Sequence, residues 1–373
     1  MNPHHTPIAI LGLAVCTGEH PDLTSFRHSL VGIPGRAMPW PGLSGVSDLL
    51  HTVLRDSGIE PNDSLCSQLG IFIAGKASAV GIGALVSEGI HAALTEYTGE
   101  HGALHAVVRA AEALNAGECS LATVLALDPS AENPGRFEGS AVLLGFPGTP
   151  TQRIYAHLHP GLARIGGGTG LLTEVLAHAG IEPSSLGLLD VQGQGDDAQA
   201  LADTLNQLRP TLAKGDKDLP HCNIGPMLPS STAVTALNGV CAVAISLYER
   251  ILPPLHGDCE AAMGKPFAAD RSQRPWIGDT PRRAGLLALH PSVDAAAILE
   301  QATGNPYTLP PRLDCAWPVE LFLLSAVGRD ELIGKIGDLA EQIAARKDSP
   351  LREVAREFAT AAPLDCRAAL VAR

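Results

Sequence analysis

Apolar runs of strand length alternate with stretches of helical period along most of the chain. Residues 8–13 are an apolar run ending in a turn and predict a buried strand. Residues 46–57 follow a helical period closed by Gly58-Ile59-Glu60-Pro61, and 69–75 predict a second buried strand. Apolar side chains then recur at Leu104, Val107, Val108, Ala111 and Leu114. That spacing predicts a helix over 101–115 with one buried face, and Gly117 supplies its stop. Further buried strands are expected at 121–127 and 139–145, separated by a loop rich in Pro and Gly around 129–135.

The plan then repeats. A strand is predicted at 153–158, a helix at 169–179 ended by Gly180, a strand at 186–191 and a helix at 196–208. A long helix follows, capped by Ser230-Ser231-Thr232, reaching Tyr248 and terminated by Pro253-Pro254. Strands at 284–289 and 296–299 close this part. Strands alternating with helices twice over predict an α/β sandwich of two similar halves, about 1–148 and 149–302, alike in pattern and not in sequence. Past a stretch carrying Pro306, Pro310, Pro311 and Pro318, residues 303–373 predict a small α+β unit. It has a strand at 319–324, helices at 329–347 and 351–359, and a last strand at 367–371.

The chain has 373 residues, 45% of them hydrophobic, with charges interspersed, so it can bury a sizeable core and does not read as disordered. Lys plus Arg number 26 against 39 Asp plus Glu, a net charge of −13 that argues against a sequence-independent nucleic-acid surface. The eight cysteines (Cys16, Cys66, Cys119, Cys222, Cys241, Cys259, Cys315, Cys366) are scattered, without a CxxC pair or zinc spacing. A reducing cytoplasm is the expected setting. No Lys or Arg precedes the apolar run 8–16 and no small-x-small site closes it, so it reads as a strand and not as a signal-peptide core. No membrane span is expected.

Several local patterns invite chemistry and do not carry it. Gly70-Ile71-Phe72-Ile73-Ala74-Gly75-Lys76-Ala77 has the spacing of a phosphate loop, but its middle is strand material and Ala77 lacks the hydroxyl that loop needs. Gly166-Gly167-Gly168-Thr169-Gly170 reads as a glycine-rich helix start, with no dinucleotide fingerprint around it. His101 and His105 lie one helical turn apart with no third metal ligand in sight. His221 and Cys222 are strand neighbours and point apart. Asp196-Asp197 favour the start of their helix. No Gly-x-Ser-x-Gly elbow occurs.

Longer stretches resemble the ketosynthase family, the condensing enzymes of polyketide and fatty-acid synthesis. Leu104 to Cys119, ending Ala113-Leu114-Asn115-Ala116-Gly117-Glu118-Cys119, resembles the helix behind that family's active-site cysteine. Ile8 to Gly12 resembles its first strand, and Asp56-Ser57-Gly58-Ile59-Glu60-Pro61 its Asp-Ala-Gly-Ile-x-Pro stretch. Ala179 to Pro183 followed by Val191-Gln192-Gly193-Gln194-Gly195-Asp196 resembles the approach to the His-Gly-Thr-Gly-Thr motif. His221-Cys222-Asn223-Ile224-Gly225-Pro226 resembles Lys-Ser-Asn-Ile-Gly-His, and Ile251 to His256 the Pro-Pro turn after the long helix. Glu320 to Ala326 resembles the start of the linker that follows the ketosynthase in modular synthases.

The resemblance implies a thiolase-like αβαβα sandwich followed by a small linker unit. It also implies that the catalytic set is gone. The family uses a cysteine to hold the acyl chain, two histidines for decarboxylation and oxyanion stabilisation, and a supporting lysine. Carried onto this chain, those places fall on Glu100, Gln192, Pro226 and His221. A carboxylate does not form the thioester, proline has no side-chain donor, and glutamine does not transfer a proton near neutral pH. Glu100 at a helix N-terminus is favoured by the dipole by ~0.3–1 kcal/mol without any catalytic role. The closing glycine motif is replaced around His290-Pro291-Ser292-Val293-Asp294, and the interval 76–99 is much shorter than the segment that shapes the dimer interface of active members.

The expectation is an inactive ketosynthase-like subunit of the chain-length-factor type, with no catalytic residue, cofactor or metal. Its partners would be an active ketosynthase, in a heterodimer, and an acyl carrier protein, with an acyltransferase docking on 303–373 as a further option. Two alternatives stand beside it. One is a malonyl-thioester decarboxylase or thioester hydrolase that uses Glu100; the other is a non-catalytic scaffold that binds an acyl carrier protein or an acyltransferase.

Overall fold

Strand β1 (Ile8–Cys16) is buried over its whole length. A strand apolar on both faces needs a covering layer on each side, and helices provide both. The computed structural model describes residues 8–30, 42–60, 68–75, 92–99, 102–130, 136–147, 153–193, 206–208, 210, 221–224, 233–253, 273–276, 281–289, 293–302, 320–345, 355 and 364–372. The chain divides into two units, Met1–Pro311 and Arg312–Arg373.

In the first unit β1 is followed by α1 (Leu23–Leu30), α2 (Val46–Ser57), β2 (Leu69–Ala74), β3 (Ala92–Gly99), α3 (Ala103–Ala116), β4 (Leu121–Pro129) and β5 (Phe137–Gly145). Next come β6 (Ala156–Arg164), α4 (Gly170–Ala179), β7 (Leu186–Gly193), β8 (His221–Ile224) and α5 (Ala233–Glu249). A short ribbon of β9 (Ile251–Leu252) and β10 (Arg274–Pro275) leads to β11 (Arg283–Leu289) and β12 (Asp294–Glu300).

Ten of these strands form one sheet in the order β3-β2-β4-β5-β1-β6-β12-β11-β7-β8. Each half of it places its own third, second, fourth, fifth and first strands in that order. In each half the third, second and fourth strands are parallel, and the fifth is antiparallel to both its neighbours. The duplication expected from the pattern of elements is therefore present in the topology. β1 and β6 pair antiparallel from Ile8↔Leu158 to Ile10↔Ala156 and join the halves. A matching carboxylate clamp closes each half: after β1, Gly18 N–H donates to Glu138 of β5 at 3.2 Å, and after β6, Gly168 N–H donates to Asp294 of β12 at 2.8 Å.

Helix burial sets the layers. α2 buries one stripe (Val46, Leu49, Leu50, Val53, Leu54) on β1, β4 and β5. α4 does the same with Leu171, Leu172, Val175 and Leu176 on β6, β11 and β12. α3 and α5 each touch strands of both halves and one another. The spacing in the sequence predicted a single buried face for α3. It is buried around most of its circumference, because Ala103, Ala106, Ala110 and Ala113 fill the intervening positions and let both halves approach. The order of layers is α2, half one, α3 with α5, half two, α4, which is the expected αβαβα sandwich. Gly58, Gly117 and Gly180 end α2, α3 and α4 in the left-handed conformation, as their positions in the sequence implied.

Some elements differ from expectation. α1 and β3 carry no clear periodicity and were not predicted. β6 starts later than residue 153 and runs on to Arg164, passing Pro160 and Gly161 by a register irregularity against β12. The helix expected at 196–208 falls largely outside the described residues, of which 206–208 are helical. The Ser230-Ser231-Thr232 cap lies outside them.

In the second unit β13 (Glu320–Ala326) pairs antiparallel with β14 (Cys366–Ala372). Helix α6 (Arg329–Ala345) lays Leu332, Ile336, Leu339 and Ile343 against Phe322 and Leu324, giving this unit a core of its own.

Candidate functional site

In each half the third strand leads into a central helix: β3 ends at Gly99 and α3 begins at Ala103, while β8 ends at Ile224 and α5 begins at Ala233. The carboxyl ends of parallel strands and the amino ends of helices are where α/β folds hold ligands. The two halves meet at this end. Asp128 of β4, in half one, accepts the Val234 N–H of α5 at 3.2 Å.

Four positions of the sequence matter here. Glu100 lies between Gly99 and Gly102 in the chain and is outside the described residues, as is Pro226. Gln192 is next to last in β7, and His221 opens β8. Parallel register sets His221 beside Leu188. His221 is thus four residues, about 13 Å of extended chain, below the level of Gln192, and the two are not brought together.

Gln192 is engaged elsewhere. Its Nε2 donates to Asp190 Oδ2 at 2.7 Å and to the Ala236 carbonyl of α5 at 2.9 Å. Two acceptors on the nitrogen side fix the amide orientation. Its Oε1 is buried without a partner. A Cβ at Gly239 of α5 would lie 2.5 Å from Gln192 Nε2 and 2.8 Å from Asp190 Oδ2, so the absence of a side chain there makes room for the pair. On the other flank of the same helical turn, Ser140 of β5 donates to Asn238 Oδ1. Asp190 is fully buried, and loss of hydration pushes its pKa up to about 6, opposed in part by the Gln192 amide.

Asp128, Ser140, Asp190 and Asn238 were not singled out in the sequence. The available signal was a carboxylate inside an otherwise apolar run, Leu188-Leu189-Asp190-Val191 and Leu125-Ala126-Leu127-Asp128.

Among the described residues no other chemistry gathers nearby. Cys16, Cys119 and Cys241 are buried free thiols. Burial raises all three, Cys16 to about 12 with help from the Asp22 carboxylate, so none is a ready thiolate. Among the described residues no group of three His, Cys, Asp or Glu is placed to hold a metal ion. The loop Gly166–Gly170 gives its Gly168 N–H to Asp294, the reverse of a phosphate cradle. Residues 69–74 are strand β2, as the rejection of a phosphate loop required. His101 lies outside the described residues, and His105 is half-buried on α3. Among the described residues no helix is long and apolar enough to cross a membrane.

No protein-family model and no curated protein matches the sequence. Solved structures do. The oxazolomycin ketosynthase domain OzmH KS7 of Streptomyces albus JA3453 superposes with a TM-score of 0.63 at 17% identity, over 98% of this chain and 86% of that one. The ketosynthase from module 6 of the bacillaene synthase of Bacillus subtilis 168 gives 0.63 at 15% identity, over 98% and 82%. The OzmH KS8 domain gives 0.62 at 20% identity, over 83% of this chain and 99% of that one. Likeness at such identities speaks for architecture: the chain has the thiolase-like αβαβα sandwich of ketosynthase domains.

Proposed function

We propose that the chain is a catalytically inactive ketosynthase-like subunit or domain of a polyketide or fatty-acid synthase. It would act as a chain-length-factor-like partner of an active ketosynthase, in a heterodimer, and meet an acyl carrier protein. The ketosynthase-like fold supports this reading, as do the residues Glu100, Gln192, Pro226 and His221 in the places of the nucleophile and its assistants.

One observation carries it. Gln192, in a histidine's place, spends both amide hydrogens on Asp190 and the α5 backbone. It has neither a titratable group nor a free donor for a developing oxyanion. None of the four positions is assigned a catalytic role. On the same reading residues 1–302 form the ketosynthase-like domain, and 303–373 form a linker unit on which an acyltransferase would dock. The expected compartment is the cytoplasm.

The test adds the purified chain to an active ketosynthase with acyl and malonyl carrier proteins and reads product length by mass spectrometry. A changed or restored product length supports a partner role. Unchanged product, with carrier binding alone, would reduce the chain to a scaffold.

A further inference from the structure

Among the described residues three pairs between β1 and β6 join the two halves of the sheet, and His157 is in the middle pair, opposite Ala9. Residues directly opposite on paired strands share a face, so this level can be followed across the sheet. Toward half one it passes through Ala9, Gly145 of β5 and Leu121 of β4, with no titratable group. Toward half two it passes through His157, Glu300 of β12 and Arg283 of β11. Ala9↔Gly145 and His157↔Glu300 are equivalent pairs of first and fifth strands, so half two carries ionisable groups where half one is apolar. His159, two residues further along β6, lies on the same face as His157.

The ionisable side of this rung has one acid for three bases. Glu300 Oε2 accepts from Arg283 Nε at 2.6 Å, and His159 Nε2 stands 3.5 Å from the same oxygen. That carboxylate therefore serves a permanent guanidinium and, when it is charged, the His159 imidazole. His157 is half-buried, and its Nδ1 is buried without a hydrogen bond among the described residues. The groups that face it are His159, Glu300 and, behind Glu300, Arg283. β1 offers Ala9, and the buried stripe of α4, the helix over this face, is apolar. From α2 the near carboxylate is Asp56, which is taken up by the Leu13 N–H, Arg153 and the Tyr155 hydroxyl.

Burial lowers the pKa of His157 from the ordinary 6.5; the Glu300 carboxylate opposes this in part and His159 adds to it. The sign follows from linkage. A proton binds more readily to His157 in water than in the closed joint. Its contribution to closure is full above about pH 6.5 and is lost as pH falls through the lowered value.

We propose that His157, with Glu300 and Arg283 on the same rung, makes the joint between the halves sensitive to pH. A proton on His157 places a positive charge beside a carboxylate that Arg283 already neutralises. The β1–β6 pairing loosens, while each half keeps a hydrophobic core of its own. Neither the ketosynthase-like reading nor a partner enters this inference.

The test follows hydrogen exchange of the full native chain between pH 7.5 and pH 5, with rates corrected for intrinsic exchange at each pH. The reporter is the Tyr155 amide, which donates across the joint to the Ile10 carbonyl at 2.9 Å, and amides of the β4–β5 ladder are the reference. Protection at Tyr155 is expected to fall about tenfold relative to that ladder as pH is lowered. His157→Gln, which takes up no proton, is expected to show the same protection at both pH values. Glu300→Gln removes the one compensating charge and is expected to deepen the fall.

Equal relative protection at pH 7.5 and pH 5 in the native chain overturns the proposal. So does a fall that persists in His157→Gln, which would assign the effect to His159 or Asp56. If His157→Gln fails to fold, Glu300→Gln decides, and a fall no deeper than in the native chain overturns the proposal.

Discussion

Half one and half two wrap the same strand order around the same pair of central helices, but their interiors differ. Toward the central layer β2 presents Phe72 and Ala74, both buried and apolar, while β7 presents Asp190 and Gln192. The outward faces are alike: Ile71 and Ile73 pack under α2, and Leu189 and Val191 under α4. Topology is therefore indifferent to what lines the middle, provided that hydrogen bonds replace the contacts given up. At these two strands β2 is held by packing, and β7 by a desolvated carboxylate and one amide. The two should respond differently to truncation and to pH.

The largest contrast should come from Phe72→Ala, which empties a site with no polar partner. It is expected to cost about 3–5 kcal/mol in chemical denaturation, to a similar extent at pH 5 and pH 7.5. Asp190→Asn should come next, with the opposite sign. The folded pKa of Asp190, about 6, lies above the ordinary carboxylate value of 3.8, so the folded state holds this proton more tightly. Its contribution to stability is full below about pH 4 and is lost as pH rises through 6. The variant should then be more stable than the native chain near pH 7.5, by on the order of 2–3 kcal/mol, and lose that advantage near pH 4. An advantage that stays flat with pH would mean that Asp190 is ionised without penalty.

Gly239→Ala tests the fit of the pair against α5. Overpacking costs about 1–3 kcal/mol, from which a better helix former recovers about 0.5–1. A net loss of thermal stability is expected, and a neutral result would show that Asp190 and Gln192 can shift freely. Ser140→Ala removes one hydrogen bond to Asn238 from the half-one side and should cost about 0.5–1.5 kcal/mol in the same assay.

Much of the architecture was legible because it is written in local chemistry. The stops at Gly58, Gly117 and Gly180 and the apolar runs of β1, β2 and β4 need no tertiary information. β3 was not legible: Ala-Ala-Leu-Thr-Glu-Tyr-Thr-Gly neither alternates nor forms an apolar run, and it becomes a strand by pairing with β2. β6 was cut short in the sequence because Pro160-Gly161 reads as a breaker, whereas an irregular register absorbs both. Gln192 was singled out in the sequence by resemblance alone. That its amide turns to Asp190 and Ala236 depends on α5, more than forty residues further along the chain.

The account turns on a condensing-enzyme scaffold that performs no condensation. The most direct measurement incubates the purified chain, without a partner, with malonyl-loaded carrier protein and follows both species by intact-protein mass spectrometry. The account predicts no loss of CO₂ and no acyl group on the chain. Decarboxylation or acyl transfer that Glu100→Ala abolishes would contradict it and make Glu100 a working residue.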